Sequence, residues 1–378
     1  MRISGERFMV NYCLAAENEK AAYAKARDIC LEQTVEFPEE LIAAEFIRDA
    51  VVGRIESFES EAGGTYRTTI SYAVETAADE LTQLLNVIFG NISIKPGISV
   101  RELSLPESLL HKFRGPRFGR LGLRERLEIL NRPLLHTAIK PMGLTAADLA
   151  HLAYQCALGG IDIIKDDHGL TNQSFAPFEE RVSRCAEAVH KANQETGGKS
   201  IYVANVTAGA DEAVRRAKLA KAAGAGGLLV APALVGLDVM RALAEDDTIG
   251  LPIISHPAFQ GSYVINGDSG ISHYALFGQI TRLAGADAVI YPNFGGRFSF
   301  SRAECLEIAR GTQVEMGHIK PIFPCPGGGM SLDKVADMQK VYGNEVIFLI
   351  GGGLFRQGPD LVENSHYFRN LAESFALG

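Results

Sequence analysis

Downstream of Pro133 the sequence repeats one pattern, in which a short run of β-branched and other apolar residues is followed by an alanine-rich stretch with helical spacing. The runs are residues 134–140, 161–165, 200–206, 227–232, 252–256, 287–291, 320–324 and 346–350. Eight strand–helix units in roughly 225 residues agree with a TIM (β/α)8 barrel, which takes about 250 residues. An open doubly wound sheet is the alternative. The number of units, and the glycine runs after the last two strands, favour the barrel.

The N-terminal part follows a different pattern. The segments "RFMVNYCLA" and "GTYRTTISYAVE" alternate apolar and polar residues as half-buried strands do, while "NEKAAYAKARDICLEQT" and "ADELTQLLNVIFGN" have helical spacing. We therefore predict an α/β protein with an N-terminal α+β domain of ferredoxin-like type over residues 1–125. A TIM-barrel domain over residues 126–378 follows, and its tail is predicted to be a helix packed on the barrel.

Charge and composition exclude several classes of protein. The net charge of −8 argues against a nucleic-acid binder, which needs a basic face. No window of about 18 uncharged apolar residues is present, and the N-terminus lacks the apolar core of a signal peptide, so no membrane partner is expected. Six cysteines without CxxC spacing indicate buried free thiols in a reducing cytoplasm: Cys13, Cys30, Cys156, Cys185, Cys305 and Cys325.

Polar side chains are concentrated at the predicted strand ends. In TIM barrels the residues that carry out chemistry lie at the C-terminal ends of the strands. The polar residues at these positions are Lys140, the run from Lys165 to His168, Asn205, Thr207, Ser255, His256, Asn293 and Arg297. The pattern predicts an active site at that end of the barrel.

Two glycine runs follow the seventh and eighth strands. They are Gly327, Gly328 and Gly329, and Gly351, Gly352 and Gly353. Backbone N–H groups can approach a phosphate closely where no Cβ intervenes, and these two loops form the usual phosphate site of a barrel. Two tight turns are the alternative. Because both runs stand at the expected positions, we predict that they bind a phosphorylated small molecule.

The second predicted strand ends in Lys165, Asp166, Asp167 and His168. Side chains alternate along a strand, so Lys165 and Asp167 share one face and Asp166 points to the other, where its loss should matter less. Asp167 and His168 could ligate a divalent cation. A lysine ammonium would repel that cation, whereas a carbamate formed from Lys165 and CO2 offers the oxygen ligands that magnesium prefers. A salt bridge at the barrel mouth is the alternative.

Several segments resemble ribulose bisphosphate carboxylase (RuBisCO) large subunits. "GGIDIIKDDHGL" resembles the "GGxDxxKxDE" metal-site motif of that family. The segments "FRGPRFG…RPLLHTAIKPMGLT", "LNVIFGNIS", "PCPGGGM" and "IGGG" resemble the entry to strand one, the N-domain asparagine segment and the two phosphate loops. The resemblance implies an α+β domain plus a barrel, in an obligate dimer where each N-terminal domain closes the partner's active site.

The resemblance also assigns residues. It implies a carbamylated Lys165 with Asp167 and His168 as ligands of Mg²⁺, and a role for Lys140 around the enolisation step. The other implied site residues are Asn205, His256, the phosphate-loop glycines Gly328, Gly329, Gly352 and Gly353, and Asn91, which the partner subunit would contribute.

The sequence departs from the carboxylases at several of these positions. His168 replaces a carboxylate, and imidazole favours Mn²⁺ or another divalent cation over Mg²⁺. Met142 replaces a second lysine, and Pro257 replaces an arginine. The lysine-tipped loop after strand six is replaced by "YPNFGGRFSF", whose one cation is Arg297. In the N-terminal domain, "RDAVVGRIE" differs from the family pattern and could place Asp49 and Arg54 in the pocket. These departures indicate a RuBisCO-like (form IV) protein.

The resulting hypothesis is a metal-dependent enolase-type enzyme that acts on a small phosphorylated ketose or oxo-sugar acid without fixing CO2. Decarboxylation, isomerisation and tautomerisation are all consistent with the sequence. Family members act on methylthio-pentulose phosphates or decarboxylate phosphorylated oxo-sugar acids, and the "KDDHG" variant and the Arg297 loop favour the second group. A non-catalytic relative that binds a phosphometabolite is the alternative, but such a protein would not need Lys140, Lys165, Asp167 and His256.

Overall fold

The computed structural model describes residues 3–375. The chain forms two sheets, one of five strands and one of eight. Within the described residues, no helix is both long and apolar enough to cross a membrane.

The N-terminal sheet has the ferredoxin-like order. Its four main strands are β1 (Arg7–Ala15), β2 (Arg54–Ser60), β3 (Thr65–Ala73) and β4 (Ile98–Ser104), and the helices between them are α1 (Glu19–Glu32) and α2 (Leu81–Phe89). These strands are antiparallel in the order β4-β1-β3-β2. Every second residue of β1 from Phe8 to Leu14 is fully buried, as the alternation predicted. The predicted α+β domain is confirmed.

The second sheet forms the barrel. Its strands are β5 (Leu134–Ile139), β6 (Ile163–Asp166), β7 (Ile201–Asn205), β8 (Gly227–Val230), β9 (Ile253–Ser255), β11 (Ala288–Pro292), β12 (Phe323–Gly327) and β13 (Ile347–Leu349), and a short strand β10 (Gly270–Ile271) lies outside it. The sheet is parallel, and its order begins at β12 and ends at β13. These two strands lie side by side, since a Cβ built on Gly327 would lie 2.9 Å from Leu349 Cδ2. The strands therefore close into a barrel.

Helices cover the outside of the barrel and connect the two domains. They are α3 (Glu107–Leu110), α4 (Gly119–Leu127), α5 (Ala146–Leu158), α6 (Phe178–Thr196), α7 (Ala210–Ala222), α8 (Pro232–Val235), α9 (Leu237–Glu245), α10 (Gly261–Val264), α11 (Thr281–Leu283), α12 (Arg302–Gly311), α13 (Val335–Tyr342), α14 (Gly352–Phe355) and α15 (Leu361–Glu373). Short 3₁₀ turns lie at Glu39–Leu41, Ala62–Gly64, Val74–Ala77, Asn91–Ile94 and Leu332–Lys334, and π-helical turns at Ile47–Val51 and Tyr274–Ile280.

The entry to the barrel differs from the prediction. The segment "LRERLEILN" at residues 123–131 has the spacing of a helix, but α4 begins and ends four residues earlier, so the predicted domain boundary at residue 125 falls inside it. Its Leu123 and Leu127 pack with Leu134 and Ile163 in the barrel interior. The helix therefore covers the N-terminal end of the barrel, opposite the strand ends that carry the polar residues.

The seventh barrel strand also begins later than predicted. The expected run was residues 320–324, but β12 begins at Phe323. The carbonyls of Lys320 and Pro321 accept from Arg282 Nε and the Arg120 amide, at 3.1 and 3.0 Å, so these residues have other hydrogen-bond partners than the sheet. Gly327, the first residue of the glycine run, is the last residue of β12.

The strand β10 joins the two domains. It follows the fifth barrel strand and pairs in parallel with β4 at the edge of the N-terminal sheet. Gln279 reinforces this pairing because its side chain binds both the amide and the carbonyl of Leu103, at 2.9 and 2.7 Å. The loop that follows His256 is thus fixed to the N-terminal domain of the same chain, a contact that the sequence did not predict.

Candidate active site

A cavity of about 1100 Å³ opens at the C-terminal ends of the barrel strands. Six predicted site side chains line it, namely Lys140, Lys165, Asp167, His168, His256 and Arg297. Five of the six predicted phosphate-loop glycines line it as well: Gly328, Gly329, Gly351, Gly352 and Gly353. The structure thus brings most of the predicted site together in one place.

The alternation along β6 places Lys165 and Asp166 on opposite sides of the sheet. Lys165 faces the cavity and is only 2 % exposed. Asp166 is fully buried on the outer side, where its carboxylate accepts from Arg181 Nε at 3.2 Å and from the Tyr202 hydroxyl at 2.6 Å. Arg181 is also fully buried, so this is an ion pair without access to water. Of the polar residues at the end of this strand, Lys165 therefore faces the cavity and Asp166 lies in a buried ion pair on the outer side.

Burial changes the acid–base properties of Lys165. Removal from water lowers the pKa of this ammonium to about 8; the Asp167 carboxylate opposes the shift and the Lys140 charge adds to it, both to a smaller extent. Its Nζ donates to the backbone carbonyl of Asp166 at 3.0 Å. A lysine with this pKa is partly neutral at physiological pH, and only the neutral amine can react with an electrophile such as CO2.

Asp167 is held in its ionised form. Burial alone would raise the pKa of this carboxyl, but the His168 imidazole, whose Nδ1 lies 3.7 Å from Asp167 Oδ1, and the charges of Lys165 and Lys140 outweigh it and keep the pKa below its usual range. The nearest of these charges is Lys140, whose Nζ lies 3.2 Å from Asp167 Oδ1. Asp167 is therefore an ionised carboxylate whose oxygen atoms suit a metal ion. In this structure it pairs with the Lys140 ammonium group.

Two imidazoles stack beside this carboxylate. The rings of His168 and His256 are 4.5 Å apart with an interplanar angle of 11°. Burial, and then the positive charge of Lys165, lowers the pKa of His256 well below its usual value. His256 is therefore neutral at physiological pH and can accept a proton or a hydrogen bond from a molecule in the cavity.

The side chains at the end of β6 suit a divalent cation only in part. Within residues 3–375, no group of three or more His, Cys, Asp and Glu side chains is placed to hold a metal ion. Asp167 and His168 supply one oxygen and one nitrogen donor, and the Lys165 ammonium supplies none. Conversion of Lys165 to a carbamate would complete a set of three ligands with the hard oxygen atoms that Mg²⁺ and Mn²⁺ take.

The first glycine loop is shaped by the loop that follows β11. Gly328 and Gly329 have φ values of +78° and +98°, which a side chain would strain. The carbonyl of Gly328 accepts from the Arg297 amide at 3.1 Å, and a Cβ on Gly329 would lie 2.8 Å from that same nitrogen. The loop after the sixth barrel strand is therefore packed directly on the phosphate loop.

The second glycine loop is open toward the cavity. A Cβ built on Gly352 would meet nothing within 4 Å, whereas one on Gly353 would lie 2.3 Å from the Met330 carbonyl. A Cβ on Gly351 would lie 3.6 Å from Lys140 Nζ. The Lys140 ammonium thus lies between the Asp167 carboxylate and the second glycine loop.

Three predicted site residues do not line the cavity. Gly327 is the last residue of β12, and its missing side chain allows Leu349 to pack closely against it. Asn205 is 1 % exposed, and its amide donates to the carbonyls of His168 and Leu170, each at 2.9 Å. Gly327 and Asn205 therefore support the structure around the cavity but do not line it.

Asn91 is the third of these residues. It is exposed, and its amide donates to Glu32 at 3.1 Å and to Glu36 at 3.2 Å. Asn91 therefore has hydrogen-bond partners in its own domain, because α1 and the residues after it supply two carboxylates. Within one chain it takes no part in the cavity, and neither do Asp49 and Arg54.

Some lining residues were not anticipated from the sequence. Five apolar residues also line the cavity: Pro257, Ile265, Phe277, Ile290 and Phe300. Phe277 lies in a π-helical turn that a helical pattern cannot reveal. Arg356 also lines the cavity, and its position three residues after a glycine run could have identified it.

The comparisons with known proteins agree with this arrangement. The model of the ribulose bisphosphate carboxylase large chain, catalytic domain, matches residues 121–358. The chain is 36% identical over 346 residues to 5-methylthioribulose-1-phosphate isomerase of Rhodospirillum rubrum, covering 91% of each chain. It is 33% identical to 2,3-diketo-5-methylthiopentyl-1-phosphate enolase of Geobacillus thermodenitrificans, covering 82% of this chain and 75% of the relative.

A solved structure shows the same fold. The crystal structure of a RuBisCO-like protein from Rhodopseudomonas palustris superimposes with a TM-score of 0.88 at 37% identity, over 97% of this chain and 98% of that one. The barrel, the lysine and aspartate at the end of β6 and the paired glycine loops all agree with this relationship. The chain belongs to the ribulose bisphosphate carboxylase large-chain family, among its RuBisCO-like (form IV) members.

Proposed function

We propose that this chain is a divalent-metal-dependent enzyme that forms and quenches the enolate of a small monophosphorylated ketose or oxo acid, without fixing CO2. One observation carries the proposal. A single cavity is lined by ionised Asp167 and buried Lys165, by two glycine loops and by several apolar side chains. Such a cavity can bind a phosphate at one end and polarise a carbonyl in the middle.

The proposed metal site consists of carbamylated Lys165, Asp167 and His168. A divalent cation bound there polarises a substrate carbonyl and stabilises the negative charge that develops on its oxygen. The residues around the proposed metal site fix the position of its ligands. Asn205 fixes the backbone of His168 and Leu170, and the Asp166–Arg181 pair anchors the same loop from behind, so the ligands are held in place before substrate arrives.

Two groups could move a proton. Lys140 Nζ lies beside Asp167 and near Gly351, so it stands between the proposed metal site and the proposed phosphate site. His256 is neutral and stacked on His168. We assign the proton abstraction or return at the substrate carbon to these two residues, since general bases need hydrogen-bond reach and a suitable protonation state.

The apolar part of the lining favours one class of substrate. Pro257 stands where the resemblance would place an arginine, and Phe277 and Phe300 line the same cavity. A second phosphate at this end would lose its water without gaining a cation, which is unfavourable. A monophosphate with an apolar tail fits better, and the two named relatives carry methylthio-pentose monophosphates in their names. A methylthio-pentulose phosphate enolase or isomerase is therefore the second candidate, beside decarboxylation of an oxo-sugar acid.

A panel of substrates distinguishes these outcomes. The protein, activated with bicarbonate and Mg²⁺ or Mn²⁺, is incubated with methylthio-pentulose phosphates and with phosphorylated oxo-sugar acids. Phosphorus NMR identifies the product, and released CO2 is measured in parallel. Turnover of any member that depends on the metal supports the proposal. If members of the panel bind but none reacts, the proposed activity is wrong and the alternative of a non-catalytic binding protein is favoured.

Ribulose bisphosphate should not be carboxylated. Carboxylation needs a cation over the new carboxylate in a closed site. The loop after the sixth barrel strand is packed on Gly328 and Gly329, and its cation Arg297 stacks on Phe298 at 5.0 Å. We expect no acid-stable label from labelled bicarbonate above the metal-free control. Label in a three-carbon acid well above that control would contradict the assignment.

The variant Gly352→Ala tests the phosphate loop. The added methyl group would meet no protein atom within 4 Å, and Gly352 has no positive φ, so the fold should tolerate it. It would, however, occupy the space in which the phosphate is proposed to lie. We expect an unchanged midpoint of thermal unfolding and a KM for the phosphorylated substrate raised at least about tenfold. An unchanged KM would show that the phosphate lies elsewhere.

We also propose that two chains form the active enzyme. Ile94 is 84 % exposed, in the same turn as Asn91, and Phe37, next to the Glu36 that binds Asn91, is 49 % exposed. Exposed apolar residues of this kind suit a subunit interface. Sedimentation should give twice the 40.8 kDa of one chain, and Ile94→Glu should shift the protein toward the monomer. A wild-type monomer at micromolar concentration would contradict the dimer.

A further inference from the structure

The cations that line the cavity are not equally available to a ligand. Lys140 pairs with Asp167, and Lys165 is buried and donates to a backbone carbonyl. The guanidinium of Arg297 stacks on Phe298. Arg356 is exposed to the cavity, and its guanidinium makes no hydrogen bond, ion pair or aromatic contact within the described part of the chain.

The position of Arg356 relative to the second glycine loop is set by helical geometry. Gly352–Phe355 is a helical turn, and Arg356 continues it with φ −83° and ψ −13°. Residues four apart lie on one face of a helix, and helical side chains lean toward the N-terminal end of the turn. Arg356 therefore lies one turn after Gly352 and lines the same cavity, and the space beside Gly352 is free for a ligand because a Cβ built there would meet no atom within 4 Å.

This arrangement suits a phosphate dianion. A guanidinium presents parallel N–H groups that bind two phosphate oxygens at once, and its charge-assisted hydrogen bonds are stronger than those of neutral donors. The backbone N–H groups of the glycine loops carry no net charge. We infer that Arg356 is a phosphate-binding residue that makes the enzyme specific for a phosphorylated end over a hydroxyl end at this loop. The inference rests on the proposed function, which requires a phosphorylated substrate.

Arg297 is the competing candidate for this role. Its backbone nitrogen is tied to Gly328, and its side chain lies against Phe298, on the first glycine loop. The two arginines can therefore be compared directly, because each lines the cavity from a different glycine loop. Arg184, on the outer helix α6 and paired with Glu180, provides a matched control for the loss of one positive charge.

The experiment measures the binding of inorganic phosphate to the full chain by calorimetry, at one fixed ionic strength. We expect Arg356→Gln to weaken phosphate binding at least about tenfold. Arg356→Lys should bind phosphate with an affinity within about threefold of the wild type. Lysine restores the positive charge but not the two parallel N–H donors of the guanidinium. Arg184→Gln should bind phosphate as the wild type does. With the identified substrate, Arg356→Gln should raise KM much more than it lowers kcat.

Three outcomes would overturn the inference, and they differ in what they say of the proposed function. If the wild type binds phosphate and Arg356→Gln binds it equally well, the phosphate site stands and Arg356 is not part of it. If Arg297→Gln alone abolishes binding, the role belongs to the first glycine loop. If the wild type does not bind phosphate at all, the proposed phosphate site itself is wrong.

Discussion

Replacing Lys165 with methionine is expected to abolish metal-dependent turnover and, at the same time, to make the protein more stable. The loss of activity should be at least about a thousandfold, because the proposed carbamate ligand cannot form and the developing negative charge loses its metal. The gain in stability follows from burial. Lys165 is 2 % exposed, and its pKa falls from 10.5 to about 8 in the folded protein.

The sign of the stability effect depends on pH. A lysine whose folded pKa is lowered destabilises the fold wherever the unfolded chain holds the proton more tightly. The cost is about 3 kcal/mol below pH 8, declines as the pH rises from about 8 to 10.5, and vanishes above that range. Lys165→Met should therefore unfold at a temperature a few degrees higher at pH 7, with a smaller gain at pH 10.

Lys221→Met is a matched control, since Lys221 is exposed on the outer helix α7. It should change neither activity nor the midpoint of unfolding. A Lys165→Met protein that retains substantial metal-dependent activity would show that Lys165 is not a ligand. A loss of stability at pH 7 would show that the buried ammonium contributes more to the fold than its burial costs.

The second large effect is expected for Asp166→Asn, which should destabilise the protein by about 3–5 kcal/mol. Asp166 and Arg181 are both fully buried, and the asparagine would leave the Arg181 charge without its counter-ion. Arg181 also donates to the carbonyls of Ala176 and Thr171, each at 2.8 Å, so the loop that carries Asp167 and His168 should loosen. Denaturant unfolding and proteolysis of that loop measure the two effects.

Tyr202→Phe is the milder comparison. It removes one hydrogen bond to Asp166 but no charge, and should cost about 1 kcal/mol. The sequence predicted that the loss of Asp166 would change activity much less than the loss of Lys165, because the two residues face opposite sides of the strand. The structure has Asp166 outside the cavity and adds a contribution to the fold that the sequence did not predict. Equal stability of Asp166→Asn and the wild type would contradict the buried ion pair.

The sequence sufficed for the architecture because the barrel is built from local signals. Each strand is a short apolar run and each helix has its own period, so the count of eight can be read directly. The polar residues at the strand ends could be placed in one cavity for the same reason, since a barrel brings all its strand ends to one side. Lys165, Asp167 and the second glycine loop were identified in this way.

The parts that could not be predicted depend on contacts between distant segments. The strand β10 pairs with β4 across about 170 residues of chain, and no local pattern marks a two-residue strand. Asn205 lies at the end of a barrel strand, where catalytic residues are found. Its side-chain amide nevertheless donates to the backbone carbonyls of the neighbouring loop. Arg297 lines the cavity as predicted, but the contact of its loop with Gly328 could not be predicted, since only the folded chain brings the two together.

The central claim is that this cavity forms an enolate with a metal held at Lys165. The most direct measurement is the exchange of a carbon-bound substrate proton with solvent deuterium, followed by NMR on a monophosphorylated ketose such as methylthioribulose 1-phosphate. We predict exchange or turnover that requires a divalent metal and bicarbonate, stops when EDTA is added, and is absent from Lys165→Met. Exchange that continues without metal, or in Lys165→Met, would contradict the claim.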